Sequence, residues 1–218
     1  MKKILILMFT AIAVIFSSCS KETIRGAGST GSRTLTIPAF TAVETHYDID
    51  AVISYGATQE VVMTGYDNLL NILDVKVENG ILKLKYNKDW YNIRNGNIKA
   101  TIKIPVIAKT VIHGSGEIDV NGFVNGNIFN SKIHGSGNIR IVNCNYHSAL
   151  LEVYGSGNIE AQGLQAGQAE AVIHGSGNTG ISVIERLKAS IFGSGNIYYW
   201  GSPLLEVSQN GSGRVIKR

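Results

Sequence analysis

One residue ahead of each of six Gly-Ser-Gly triplets, the sequence places His113, His134, Tyr154, His174, Phe192 and Asn210. A row of rings at fixed interval can stack on sugars, and neighbouring imidazoles can hold a metal. His113 and His134 supply two ligands for such an ion, but no third stands at suitable spacing. No metal or cofactor is therefore expected, and the row reads first as a side-chain ladder that pins register. The other pair with chemical potential is Glu117 and Asp119, two apart on one strand face, which could supply the two carboxylates of a polysaccharide lyase or glycoside hydrolase. Asp119 shares its column with Arg140 and is expected to be neutralised by it. The triplet serines lack an accompanying histidine and acid, so no nucleophile and no catalytic residue is expected. Trp90 and Tyr91, in the polar stretch "NKDWYNIRNG", and the Tyr198-Tyr199-Trp200 cluster complete the aromatic inventory. The binding candidates are His113, His134, Tyr154, His174, Trp90 and Tyr91.

These side chains must be positioned by the repeat itself. The triplets begin at Gly114, Gly135, Gly155, Gly175, Gly193 and Gly211, at spacings of 21, 20, 20, 18 and 18 residues. Two residues before them stand Ile112, Ile133, Val153, Ile173, Ile191 and Gln209; two residues after them stand Ile118, Ile139, Ile159, Thr179, Ile197 and Val215. Apolar residues at period two on both sides of a glycine corner predict two strands per coil, each with one buried face. Return after about 20 residues predicts an all-β fold, a parallel β-helix whose coils stack roughly 4.8 Å apart. Parallel crossovers are overwhelmingly right-handed, so a right-handed helix is expected; a propeller would need paired repeats of about 40–45 residues per blade. Glycine suits the corner because it accepts positive φ and lets backbones approach. The row Glu117, Asn138, Asn158, Asn178, Asn196 and Arg214, mainly neutral amides, is expected to bond between coils and not to hold calcium.

Residues 1–18 read as a lipoprotein signal peptide: two lysines, an apolar run from Ile4 to Phe16, then small residues before Cys19. Cys19 is the expected lipidation site, although Phe16 stands where leucine is commonest. Residues 19–33 read as a lipidated tether, 34–108 as an N-terminal β region that starts or caps the stack, and 109–218 as the repeat-bearing β-helix. With Cys19 lipidated, Cys144 has no intramolecular disulfide partner. Removing Lys2 and Lys3 leaves 18 basic against 16 acidic residues, a balance of +2 that argues against a nucleic-acid partner. Upstream of the repeat, strands are expected at about 44–55, 59–65, 75–78, 81–86 and 97–104, a short helix near Asp67 to Leu73, and a polar loop over 87–96. Arg214, Lys217 and Arg218 are expected to close the last coil with charge.

The serial Gly-Ser-Gly followed by Asn138-Ile139, Asn158-Ile159 and Asn196-Ile197, with "FTAVETHYDIDAVISYG", "GYDNLLNIL" and "VENGILKLKY" upstream, resembles the auto-transporter adhesin, head GIN domain family over roughly residues 35–213. The resemblance implies a β-helical, non-enzymatic envelope protein. The expectation is an outer-membrane lipoprotein, facing the periplasm or the cell surface, whose partners are the membrane through its lipid and a glycan or envelope protein.

Overall fold

A strand with one apolar face must bury it, and most strands of the repeat do so beside the equivalent strand one coil away. The computed structural model describes residues 22–218. The expected signal peptide and the expected lipidation site, Cys19, lie outside the described residues. Among these there are 19 strands and one short helix, Asp67–Leu70, and 17 of the strands form one continuous sheet. The fold is an all-β parallel solenoid, as the period of the triplets requires.

One stack carries Lys109–Gly114, Gly126–Gly135, Cys144–Gly155 and the later strands ending at Gly175, Gly193 and Gly211, with the six corner glycines in register. The second stack aligns Ile118, Ile139, Ile159, Thr179, Ile197 and Val215. Inside, Ile112, Ile133, Val153, Ile173 and Ile191 are fully buried, as are Ile139, Ile159 and Ile197. Burying each such side chain contributes about 1.5–3 kcal/mol relative to exposure. The change from 20 to 18 residues per coil is absorbed by register shifts between Ala161 and Gln168, away from corners and core columns.

At the corners, φ lies between 133° and 147° for the six leading glycines. Each glycine carbonyl from Gly114 to Gly175 accepts N–H bonds from the serine and second glycine one coil on, as in Ser156 N to Gly135 O at 2.9 Å and Gly157 N to Gly135 O at 3.2 Å. The coils meet backbone to backbone there, so a Cβ has no room.

The stack continues upstream without a break at residue 108. Ala42–Tyr47 pairs in parallel with Lys109–Gly114, and Asp50–Tyr55 with Glu117–Asn121, so the segment expected as one strand is a full coil with its own corner. Tyr47 takes the corner glycine's place at φ 64°, and its carbonyl accepts Ser115 N at 2.7 Å and Gly116 N at 3.1 Å. Ile81–Tyr86 and Lys99–Ile104 form the rung below. Antiparallel Leu73–Glu78 and Glu60–Tyr66 then close this end.

Three expectations are corrected. The tether over 19–33 is, in its described part, two strands: Glu22–Arg25 pairs in parallel with Tyr91–Arg94, and Thr30–Thr34 pairs antiparallel to Glu60–Tyr66. The polar loop over 87–96 contains the first of those partners, a four-residue strand too short for the alternation of Tyr91 and Ile93 to announce it. The charge of Arg214, Lys217 and Arg218 does not extend over the first strand of the last coil. Leu205 and Val207 continue core columns, yet they are 37% and 50% exposed because no described strand covers Leu204–Gly211.

Candidate functional site

The ring row forms as the columns require, and its geometry limits what it can bind. From His113 through His134, Tyr154 and His174 to Phe192, successive centroids are 4.6–5.1 Å apart with interplanar angles of 5–17°. The rings therefore cover each other's faces and show the solvent their edges. A sugar stacks on a face, so the interior of this row is a ladder and not a sugar platform. Lys132 lies 4.5 Å from the Tyr154 ring centroid and pairs with Glu152, which also accepts the Tyr154 hydroxyl at 3.0 Å. Burial pulls the His113 and His134 imidazoles below their ordinary pKa, assisted at His113 by the His46 charge and at His134 by Lys132.

The row is longer than the triplets suggest. His46, on the coil without a Gly-Ser-Gly corner, stacks on His113 at 4.8 Å. Glu44, two residues earlier on the same strand face, places Oε1 2.8 Å from His46 Nε2 and 3.8 Å from His113 Nε2. The third ligand missing from the sequence pairing of His113 with His134 thus stands on the other side, beside His113 and His46.

Trp90 and Tyr91 do not join this row. Trp90 is 52% exposed with Lys88 Nζ 5.4 Å from its ring, whereas Tyr91 is 8% exposed and packed into the core, which removes it from the binding candidates. Glu117 and Asp119 line an open hollow of about 410 Å³. Asp119 accepts Arg140 Nε at 2.8 Å, as expected, so the acid pair is half neutralised. The amide row is structural: Asn138, Asn158, Asn178 and Asn196 each accept the backbone N–H one coil on through Oδ1, at 2.9–3.2 Å.

A different feature emerges where the repeat breaks its own pattern. The outward column that holds Asp119, Arg140 and Glu160 continues to Gly180 and then Tyr198. Without a side chain, position 180 opens a gap of about 360 Å³, walled by Glu160 and Gln162 on one coil and by Tyr198 and Trp200 on the other. A Cβ at Gly180 would lie 3.3 Å from Trp200 Cζ3, and 3.7 Å from Gln162 Oε1. Trp200 also borders a second hollow of about 490 Å³ with Ser182 and Ile184, so it separates two concavities. Alternation sends Tyr198 and Trp200 outward and Tyr199 onto the core. Thr179, at the base of the gap, replaces the isoleucine of its column and is buried with no protein partner for Oγ1. The sequence signal was available: Asn178-Thr179-Gly180 stands where Asn-Ile-Arg and Asn-Ile-Glu stand in the preceding copies.

The profile of the family described as "Putative auto-transporter adhesin, head GIN domain" matches residues 39–149 and 132–203. Among solved structures, a putative adhesin from Bacteroides fragilis NCTC 9343 is 21% identical, with 89% of this chain and all of that one covered at a TM-score of 0.69. A putative lipid binding protein from Parabacteroides distasonis ATCC 8503 is 23% identical, with 90% and 100% covered at 0.61. A putative adhesin from Parabacteroides merdae ATCC 43184 is 19% identical, with 90% and 99% covered at 0.52. At these identities the likeness carries the fold. No curated protein matches the chain.

Proposed function

The chain belongs to the family of auto-transporter adhesin head GIN domains, and on that premise we propose that it is a non-enzymatic envelope adhesin that binds glycan in the gap above Gly180. The observation that carries this reading is the gap's composition. Trp200, and the face of Tyr198 that Arg218 does not cover, offer aromatic surface for the apolar face of a sugar, while Glu160 and Gln162 offer acceptors and donors for its hydroxyls. The volume falls in the range of small-ligand sites, about 300–1,000 Å³. Rigid strands hold both walls, so little ordering cost accompanies binding.

A glycan array probed with the wild type, Trp200→Ala and Trp90→Ala tests the reading. Retention should fall roughly tenfold or more in Trp200→Ala, as for a truncated aromatic anchor, and stay unchanged in Trp90→Ala. Retention that survives Trp200→Ala overturns it. A protein captured from the envelope with no glycan retained would make the chain a scaffold, for which the uncovered Leu205 and Val207 speak. Turnover of a glycan, lost in Glu117→Gln, would make it a lyase or hydrolase.

The adhesin would be held to the outer membrane by lipid on Cys19. No helix among the described residues is long and apolar enough to cross a membrane. Cys19→Ala should leave the exported protein in the soluble fraction, and an unchanged membrane fraction would contradict the anchor.

A further inference from the structure

We propose that Glu44, His46 and His113 form a binding site for a late first-row divalent metal ion, with zinc as the reference ion. Three independent features of the fold create it. Strand alternation puts Glu44 and His46 on one face of Ala42–Tyr47. Parallel register sets His113 directly beside His46 on the next coil. The candidate ligand atoms, one carboxylate oxygen and two imidazole nitrogens, all lie within 4.8 Å of one another.

The distances suit a small ion. Ligand bonds of about 2.0–2.2 Å in tetrahedral geometry place donor atoms about 3.3 Å apart. The two Glu44 contacts, 2.8 and 3.8 Å, bracket that separation. Each imidazole lone pair lies in its own ring plane, and these planes are 20° apart, so binding requires the two rings to tilt their Nε2 edges together. Two imidazoles and one carboxylate favour zinc, copper or nickel over magnesium or calcium. A fourth position stays open for water or a ligand atom.

Among the described residues the site occurs once, because the column of Glu44 holds only one other acid on the later coils. It continues as Val111, Lys132, Glu152, Val172 and Ser190. The only other acid in that series, Glu152, already holds Lys132 and the Tyr154 hydroxyl. Glu44, in contrast, places Oε1 2.8 and 3.8 Å from two imidazole nitrogens. The coil that turns at Tyr47 thereby gains a chemical identity that the rest of the ring row lacks.

The test is zinc titration of the tag-free protein against a chromogenic chelator, with stoichiometry by calorimetry. One zinc per chain is expected. Glu44→Gln and His46→Ala should each weaken it by on the order of tenfold or more. His174→Ala should leave it unchanged, since His174 stacks between Tyr154 and Phe192. Thermal melts of the metal-free variants verify folding, and Glu44→Gln, which preserves shape, keeps the test decisive should His46→Ala unfold. Absence of saturable one-to-one binding, equal loss in His174→Ala, or competition by equimolar calcium would each overturn the proposal.

Discussion

Gly155→Ala should destabilise the protein by about 3–5 kcal/mol, an effect large enough to need a named structural cause. Two costs combine. Gly155 sits at φ 133°, where an L side chain strains the backbone by about 1–3 kcal/mol. The new Cβ would also lie 2.3 Å from the Gly135 carbonyl oxygen, and that oxygen cannot withdraw while it accepts Ser156 and Gly157. Gly80→Ala provides the comparison. Gly80 lies at φ 75° in a hairpin turn with nothing within 4 Å of a Cβ, so only the backbone cost of about 1 kcal/mol applies. Urea unfolding of both variants measures the difference. Equal losses would mean that coil stacking does not demand glycine at the corner.

Phe129→Ala should cost about 3–5 kcal/mol through lost burial and the cavity it leaves. Phe129 is fully buried and packs 5.1 Å from the Tyr146 ring, whose hydroxyl is fixed on the Ile107 carbonyl at 2.7 Å. Those neighbours are tied to the backbone and cannot collapse into the space. His134→Ala removes a ring of comparable kind from the outward ladder. It forfeits two stacking contacts of about 0.5–1.5 kcal/mol each and opens no cavity. Paired denaturation curves should therefore separate core from ladder. A His134→Ala loss equal to that of Phe129→Ala would make the ring row a principal source of stability.

Much of this architecture is legible in the repeat. Ile112 and its successors, the corner glycines and the amide row each act identically on every coil, so one alignment of the copies exposes them. The misses share a physical cause. The first coil turns at Tyr47 instead of glycine, and so it carries no punctuation, although it supplies Glu44 and His46 to the ring row. The pairing of Glu22–Arg25 with Tyr91–Arg94 spans nearly seventy residues and uses strands of only four residues, too short for a period to stand out. The open last rung escaped because Leu205 and Val207 obey their columns; their exposure appears only once the strands are placed and no described strand covers them. The gap at Gly180 was partly visible, as a small residue in a charged column, but its aromatic wall required the register that brings Tyr198 and Trp200 alongside.

The stacked corners thus build a rigid body, and the proposed recognition site lies in the outward column that Gly180 interrupts. The chain has two tryptophans, Trp90 and Trp200, so Trp90→Phe leaves Trp200 as the only indole reporter. Titrating that protein with a glycan retained on the array should change Trp200 emission saturably, at the same concentrations as calorimetric binding. Calorimetric binding with unchanged Trp200 emission would place the ligand elsewhere and contradict the assignment.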